Sequence, residues 1–126
     1  MGKVRFAIIG CGRISYRHIE AIRANSSAKL VALCDLKLDL AKERGKGLGV
    51  RFYRDYNKML REEKIDVVNI MTPNGMHAEH AMEVITKYKK NVVIEKPMCL
   101  NLNEGNKLID AAIKNKVRIF VVHQNR

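Results

Sequence analysis

The sequence predicts an α/β fold built on a doubly wound parallel sheet of six strands. Short apolar runs rich in β-branched residues alternate with amphipathic helical patterns along the whole chain. These runs are continuous rather than alternating, as in strands that are covered on both faces. Apolar residues make up 47% of the 126 residues, which is enough for the core of the single domain that this length allows.

Each strand is predicted from an apolar run that stops at glycine, proline or a polar turn. The six predicted strands are residues 3–9, 28–35, 50–53, 65–71, 91–95 and 116–122. Helical spacing of apolar residues and capping residues predict five helices between them, at residues 13–24, 36–45, 55–62, 76–88 and 101–114. Because crossovers between parallel strands are right-handed, a Rossmann fold is the leading topology.

The chain is strongly basic, with 24 Lys+Arg against 13 Asp+Glu and a net charge of +11. A nucleic-acid partner is one explanation of such a charge. The basic residues are scattered, however, and the chain has no Trp and no aromatics interleaved with Arg that would stack on bases. A solvated basic surface is favoured, a field that attracts a phosphorylated ligand is a third interpretation, and no nucleic-acid partner is expected.

Hydropathy and cysteine usage predict a cytoplasmic protein. No apolar run approaches the roughly 18 residues of a membrane span, and the first residues lack the apolar core of a signal peptide. The cysteines, Cys11, Cys34 and Cys99, are odd in number and far apart, which argues against a disulfide framework and a zinc ribbon. Reduced thiols and no membrane partner are therefore expected.

The turn after the first strand carries the pattern Gly-x-Gly-x-x-Ser over residues 10–15 (GCGRIS). Gly10 permits a tight turn, Gly12 lets the backbone approach a pyrophosphate, and the amino end of the next helix attracts phosphates. Ser15 is small but departs from the usual third glycine. The alternative is a purely structural turn. Cys11 is interpreted as a small filler rather than a reactive thiolate.

Asp35 ends the second strand, about 20 residues after the glycine turn, as the dinucleotide fingerprint requires. A carboxylate here accepts hydrogen bonds from the adenosine ribose and repels the 2′-phosphate of NADP, so NAD is favoured over NADP. Lys37 nearby weakens that preference. The alternative is that Asp35 caps a turn.

Two further motifs lie at the carboxyl ends of strands, where ligands bind in open α/β sheets. Residues 72–74 (TPN) end the fourth strand, although an ordinary loop explains them equally well. Residues 95–97 (EKP) end the fifth strand. Beside an oxidised nicotinamide, Lys96 would feel a like charge that lowers its pKa and suits it to accept a proton. An exposed loop lysine is the alternative.

His77 and His80 stand on one predicted helix, with Glu83 three residues further on. They lack the His-Glu-x-x-His pattern, so no metal is expected. Instead, His77 is expected to line the cleft or the amino end of its helix.

Together these motifs resemble those of the glucose–fructose oxidoreductase / inositol dehydrogenase / rhizopine-catabolism (Gfo/Idh/MocA) family. The matching stretches are residues 7–15 (AIIGCGRIS), 72–77 (TPNGMH) and 95–100 (EKPMCL). The resemblance implies an NAD(P)-dependent oxidoreductase that acts on a hydroxyl of a sugar, sugar nucleotide or cyclitol. Residues 15–18 and 124–126 are similar to the branch that oxidises the 3-hydroxyl of UDP-N-acetylglucosamine or its uronic acid.

The resemblance also implies roles for single residues. Lys96 would assist proton transfer, and Glu95 and Lys96 would bind the nicotinamide ribose and the substrate. The segment that starts at Gln124 would reach the nicotinamide. The candidate cofactor-binding residues are Gly10, Cys11, Gly12, Arg13, Ile14, Asp35, Thr72, Pro73, Asn74, His77, Glu95, Lys96 and Gln124.

Family members are usually more than twice this length, and their second α/β domain supplies the substrate pocket and the subunit interface. Residues 1–126 are therefore interpreted as the NAD(P)-binding domain, which alone should be inactive. The face that the second domain would cover should promote a homo-oligomer. The alternative function is a non-catalytic NAD-binding sensor or assembly module, but such a module has no chemical need for Lys96.

Overall fold

The computed structural model describes residues 2–95 and 101–122, and for residues 74 and 75 it describes the backbone alone. Six strands form one parallel sheet in the order β3-β2-β1-β4-β5-β6. The strands are β1 (Val4–Ile9), β2 (Ala28–Cys34), β3 (Arg51–Tyr53), β4 (Val67–Ile70), β5 (Asn91–Glu95) and β6 (Ile119–Val122). The helices are α1 (Ser15–Ala24), α2 (Leu38–Arg44), α3 (Tyr56–Glu62), α4 (Asn74–Glu83) and α5 (Leu102–Lys114). This order confirms the predicted doubly wound Rossmann topology.

Helices cover both faces of the sheet, which explains the unbroken apolar runs of its strands. On one face, Ile19 and Ile22 of α1 pack with Leu33 of β2. On the other face, residues of α3, α4 and α5 form a larger core with Ile70 and Ile94. All four residues of β4, in the middle of the sheet, are buried. The ligand edge of the sheet therefore rests on a packed scaffold.

The amino ends of α1, α2 and α4 each differ from the prediction by two residues. α1 begins at Ser15 rather than at residue 13, because the preceding residues complete the glycine turn, in which the Ser15 N–H donates to the carbonyl of Gly12. α4 begins at Asn74, two residues earlier than predicted. Pro73, just before it, has the extended backbone (φ −54°, ψ 148°) of a residue that precedes a helix.

A left-handed residue lies at two further boundaries, the end of the predicted helix 76–88 and the start of β6, and only the second boundary differs from the prediction. After Glu83, the predicted helix continues as a π-helical turn, Val84–Tyr88, which ends at Lys89 with φ 55°. β6 begins at residue 119 rather than 116, because Lys116 has φ 57° and cannot belong to a strand. Within the described ranges, no helix is long and apolar enough to cross a membrane.

Candidate cofactor-binding site

A cavity of about 540 Å³ lies at the carboxyl ends of β1, β2 and β4. Gly10 and Gly12 line it from the turn after β1, Asp35 from the end of β2 and Thr72 from the end of β4. The chain order reverses between β1 and β4, and open α/β sheets bind ligands in the crevice at such a point. The fold thus brings together three features that the sequence predicts from separate motifs.

Gly10 occupies a position that no other residue fits. Its φ is +96°, and a Cβ there would lie 2.8 Å from the carbonyl carbon and oxygen of Met71 and 2.9 Å from the nitrogen of Thr72. These are backbone atoms of the neighbouring strand end, so they cannot move aside cheaply. Gly10 therefore lets the β1–α1 turn pass close to the end of β4.

Gly12 has a different environment. A Cβ there would meet nothing within 4 Å, and its φ lies outside the positive region. The fold itself therefore has no need of glycine at this position. Ser15, fully buried, occupies the third position of the motif and donates its hydroxyl to the carbonyl of Gly12 at 2.6 Å. The departure from glycine is thus accommodated by a small side chain with a satisfied hydroxyl.

Asp35 ties the end of β2 to the glycine turn. Its Oδ2 accepts the backbone N–H of Cys11 at 2.8 Å, and its Oδ1 accepts that of Lys37 at 2.8 Å. The contact with Lys37 is the turn cap that the sequence leaves as an alternative. The contact with Cys11 was not foreseen. Each carboxylate oxygen can accept a further hydrogen bond, so a ligand hydroxyl can still bind here.

Cys11 contributes its backbone rather than its thiol. The side chain is fully buried, with Sγ 3.5 Å from the carbonyl of Cys34. Burial, reinforced by the charge of Asp35, raises the pKa of Cys11 to about 12. The thiol is therefore neutral at physiological pH, as expected for a small filler. Next to it, Arg13 is exposed and Ile14 packs against the core under α1 and α2.

Arg44, at the end of α2, brings a positive charge to the glycine turn. Its guanidinium lies 4.2 Å from the ring centroid of Tyr16 and donates to the Tyr16 hydroxyl at 3.0 Å. Its Nε lies 3.5 Å from the carbonyl of Gly12. The Arg44 side chain is only 12% exposed. No sequence motif singles out Arg44, so its place beside the turn is a finding of the structure.

At the end of β4, Thr72 is half-buried, and its hydroxyl is hydrogen-bonded to His80 Nδ1 at 3.0 Å. His80 lines the cavity, and burial lowers its pKa. Tyr56 packs its ring edge-on against His80 at 5.3 Å between centroids. His77 is buried on the same helix, whereas the exposed Pro73 lines the cavity. His80 therefore contributes to the cavity, whereas His77, expected to line the cleft or the amino end of its helix, lies in the first turn of α4.

Glu95 ends β5 as a buried carboxylate. Its Oε1 lies 2.9 Å from His18 Nε2, and His18 Nδ1 lies 2.8 Å from the amide nitrogen of Asn69. All three side chains are buried. Sequence analysis missed His18 and Asn69 as site residues. A polar residue within the apolar run of β4 and a histidine on the apolar face of α1 were the available signals.

Several predicted site residues cannot be placed. Lys96 and Gln124 lie outside the described residues, and for Asn74 only the backbone is described. Across the ranges 2–95 and 101–122, no group of three or more His, Cys, Asp or Glu side chains is arranged to hold a metal ion.

The strand order, the close turn at Gly10, the acidic residue after β2 and the cavity define a dinucleotide-binding domain of the Rossmann class. The model of the oxidoreductase family with an NAD-binding Rossmann fold (Gfo/Idh/MocA) matches residues 4–123. The chain belongs to this family and is its NAD-binding domain, as the motifs indicated.

Known relatives are sugar and cyclitol dehydrogenases. The chain is 31% identical over 124 residues to the myo-inositol 2-dehydrogenase of Thermotoga maritima, covering 98% of this chain and 37% of that protein. It is 32% identical over 120 residues to the D-apiose dehydrogenase of Paraburkholderia graminis, covering 94% of this chain and 32% of that protein.

A similar solved structure is the WlbA dehydrogenase from Bordetella pertussis in complex with NADH and UDP-GlcNAcA. The two chains align with a TM-score of 0.89 and 36% identity, covering 95% of this chain and 37% of that chain. The chain therefore spans about a third of the length of the relatives that it matches.

Proposed function

We propose that this chain is the cofactor-binding part of a dehydrogenase that oxidises a secondary alcohol of a sugar, sugar nucleotide or cyclitol. The contrast between two glycines carries the proposal. Gly10 is needed by the fold, whereas Gly12 has neither a positive φ nor a close neighbour. A turn that served the fold alone would need only the first glycine. A backbone that must be approached by a pyrophosphate needs the second.

The residues around the turn suit the adenosine diphosphate half of NAD. Pyrophosphate would lie against Gly12 and the amino end of α1, whose first turn carries no acidic residue and no side-chain cap. The Arg44 guanidinium adds positive charge beside the turn. Leu36, 79% exposed at the cavity, would be covered by adenine. Asp35 would accept hydrogen bonds from the ribose.

Asp35 also supports a preference for NAD over NADP. Its carboxylate is fixed by two backbone N–H groups, so it cannot swing away from a 2′-phosphate without losing both bonds. The repulsion between like charges would then be felt at short range. Lys37 and Arg54 also line the cavity and reduce the difference between the two cofactors.

The nicotinamide half would lie toward the ends of β4 and β5. We assign Thr72, Asn74, His77 and Glu95 to that side, together with Gln124. Bound NAD supplies the hydride acceptor for this chemistry. Lys96 would take the proton of the substrate hydroxyl as the hydride leaves its carbon, so that the alcohol becomes a ketone.

The substrate class rests on the relatives. The Bordetella protein was solved with UDP-GlcNAcA, and a net charge of +11 suits a diphosphate-linked sugar, so a sugar nucleotide is our specific proposal. The rest of the substrate site would come from a second domain. Such a domain would cover the exposed apolar side chains of Leu102 (79%), Ile113 (72%) and Phe120 (47%). This surface also supports self-association, and the free buried thiols of Cys11 and Cys34 support a cytoplasmic location.

Calorimetric titration of the 126-residue chain with NAD and NADP tests the proposal. We expect NAD to bind and NADP to bind about tenfold more weakly, the equivalent of about 1.4 kcal/mol. Mixing the chain with NAD and UDP-sugars should give no NADH, because catalysis needs groups placed within a fraction of an ångström, and this chain spans only about a third of the length of the dehydrogenases that it matches. A chain that binds neither cofactor, while circular dichroism shows it folded, would refute the proposal.

A further inference from the structure

Three buried polar side chains form a hydrogen-bonded line in which His18 of α1 bridges Asn69 of β4 and Glu95 at the end of β5. Asn69 is 4% exposed, and His18 and Glu95 are each 8% exposed. The residues come from positions that are 51 and 77 residues apart along the chain. Buried polar groups are costly unless they are satisfied, so such a line needs a structural or functional reason.

The partners at each end determine where the proton of the imidazole resides. The Asn69 amide nitrogen is a donor, so His18 Nδ1 is the acceptor of that bond. The proton therefore sits on Nε2, which donates to Glu95 Oε1. Both nitrogens of His18 are thus engaged, and the orientation of the Glu95 carboxylate is fixed from one side.

The other oxygen of the same carboxylate has a different status. Glu95 Oε2 is buried and has no hydrogen-bond partner among residues 2–95 and 101–122. A buried carboxylate oxygen without a donor costs free energy that a structural contact would ordinarily remove. The line of side chains therefore holds a carboxylate with one oxygen bonded and the other available.

The position of Glu95 indicates what the available oxygen faces. Ile94 of β5 pairs with Ile70 of β4, so Glu95 lies level with Met71, which lines the cavity. The same strand end leads directly to Lys96, the proposed proton acceptor. Glu95 itself does not line the cavity, so the proposed ligand donor would reach Oε2 at the edge of the cavity beside Met71.

We infer that His18 and Asn69 are positioning residues, which hold Glu95 so that its Oε2 accepts a hydroxyl of the second ribose of a bound dinucleotide. The inference rests on the proposed cofactor function and adds two residues to it. His18 and Asn69 do not touch the ligand. They act by fixing the direction of one carboxylate oxygen and by excluding the rotamers in which it would turn away.

Two substitutions of the same residue separate positioning from packing. The amide nitrogen of Gln reaches the place of His18 Nε2, so His18→Gln keeps a donor to Glu95. The shorter Asn reaches only the place of Nδ1, so His18→Asn can bond Asn69 but not Glu95. Affinities for ADP and ADP-ribose, measured by calorimetry on the 126-residue chain, isolate the second ribose because ADP lacks it.

We expect His18→Asn to weaken ADP-ribose binding about tenfold, as for one lost hydrogen bond to a charged group, and to leave ADP binding within about twofold. His18→Gln should restore ADP-ribose affinity to within about threefold of the wild type. Equal losses for both ligands in both variants would overturn the inference, because packing alone would then explain them. Failure of the folded wild-type chain to bind ADP would refute the proposed function itself, and this inference with it.

A measurement on the unmodified chain covers the case in which the variants do not fold. Two-bond ¹H–¹⁵N correlation spectra report which nitrogen of each histidine carries the proton. We expect His18 to be protonated at Nε2, with a signal that shifts when ADP-ribose is added but not when ADP is added. Protonation at Nδ1 instead, or no shift with ADP-ribose, would overturn the inference.

Discussion

At the β1–β2 end of the site each oxygen of Asp35 accepts a backbone N–H, whereas at the β4–β5 end only one oxygen of Glu95 is bonded within the described part of the chain. The strands at the two ends also differ in burial, with the better-covered strand at the β1–β2 end. Leu33 of β2 is fully buried, but Phe120 of β6 is 47% exposed. Among the described residues, the end that would bind the adenosine diphosphate is thus held by contacts within the chain, whereas the end that would bind nicotinamide has an unbonded carboxylate oxygen and an exposed neighbouring strand.

Under the proposed function, this difference assigns binding of the adenosine diphosphate and the catalytic step to different parts of the molecule. The glycine turn and Asp35 support each other through backbone contacts within β1, β2 and β4. The proposed proton acceptor Lys96 would act together with groups outside these strands, and the exposed apolar face of β6 would be covered by another surface. We therefore expect affinity for the adenosine diphosphate half of NAD to depend on the glycine turn and Asp35, and catalysis to depend on further groups as well.

Gly10→Ala tests the glycine turn at the β1–β2 end of the site and should have the largest effect on stability. A methyl group at φ +96° would be strained and would overlap backbone atoms of residues 71 and 72. We expect a loss of about 3 kcal/mol or more in the free energy of unfolding, measured by urea denaturation. Gly49→Ala is the matched control, since Gly49 has φ +70° but open space around it, so that strain alone should cost about 1 kcal/mol. Equal effects would show that the close approach to β4 is unimportant.

Asp35→Asn should damage the same end of the site at the level of binding. The amide keeps the shape but loses one of two acceptors, so the β2 end and the turn are held less firmly and the ribose contact is weakened. We expect NAD affinity to fall about tenfold, with NADP affected less because repulsion is removed. Asp39→Asn, an exposed change in the first turn of α2, should leave both affinities unchanged. Calorimetry on the wild type and the two variants measures both affinities. An Asp35→Asn variant that binds NAD as tightly as the wild type would contradict the role of Asp35.

The pH dependence of stability tests the packing at the end of β4. Burial lowers the pKa of His80 below its ordinary value of 6.5, so the unfolded chain takes up the proton first as the pH falls. Stability from this residue is thus complete above pH 6.5 and is lost on acidification below it, by at most about 1.4 kcal/mol per pH unit. His80→Gln should flatten this part of the curve of unfolding free energy against pH. A slope that persists unchanged in the variant would contradict the assignment.

Phe120→Ser tests the exposed apolar face of β6, beside the β4–β5 end of the site, and should have the smallest effect on stability. Because Phe120 is 47% exposed, its loss should change the free energy of unfolding by less than about 1 kcal/mol. It should, however, weaken self-association of the chain, which sedimentation at micromolar concentration would detect. A wild-type chain that stays monomeric at these concentrations would show that the exposed face does not drive association.

The sequence predicted the half of the site that local patterns encode. Gly10, Gly12 and Asp35 follow apolar strands at the spacing of the dinucleotide fingerprint, and a strand followed by a turn is a local signal. The alternation of strands and helices then predicted a sheet in which these strand ends meet. The structure confirmed this arrangement.

Contacts between distant residues could not be predicted in the same way. Arg44 reaches Gly12 only because α2 packs beside α1, and nothing in the periodicity of α2 distinguishes this arginine from its exposed neighbours. His18 of α1 and Glu95 of β5 are 77 positions apart in the sequence and come together only in the folded chain. Such side-chain contacts depend on how helices pack against the sheet, which sequence patterns do not specify.

Gly12→Ala is the most direct test of the central claim that this turn exists for a ligand. A Cβ at this position has no atom within 4 Å and no positive φ to oppose it, so the variant should be as stable as the wild type or up to about 1 kcal/mol more stable. The methyl group would instead occupy the space that a pyrophosphate needs. We predict unchanged urea denaturation with a loss of NAD affinity of at least about tenfold, measured by calorimetry. A variant that binds NAD as tightly as the wild type would contradict the account.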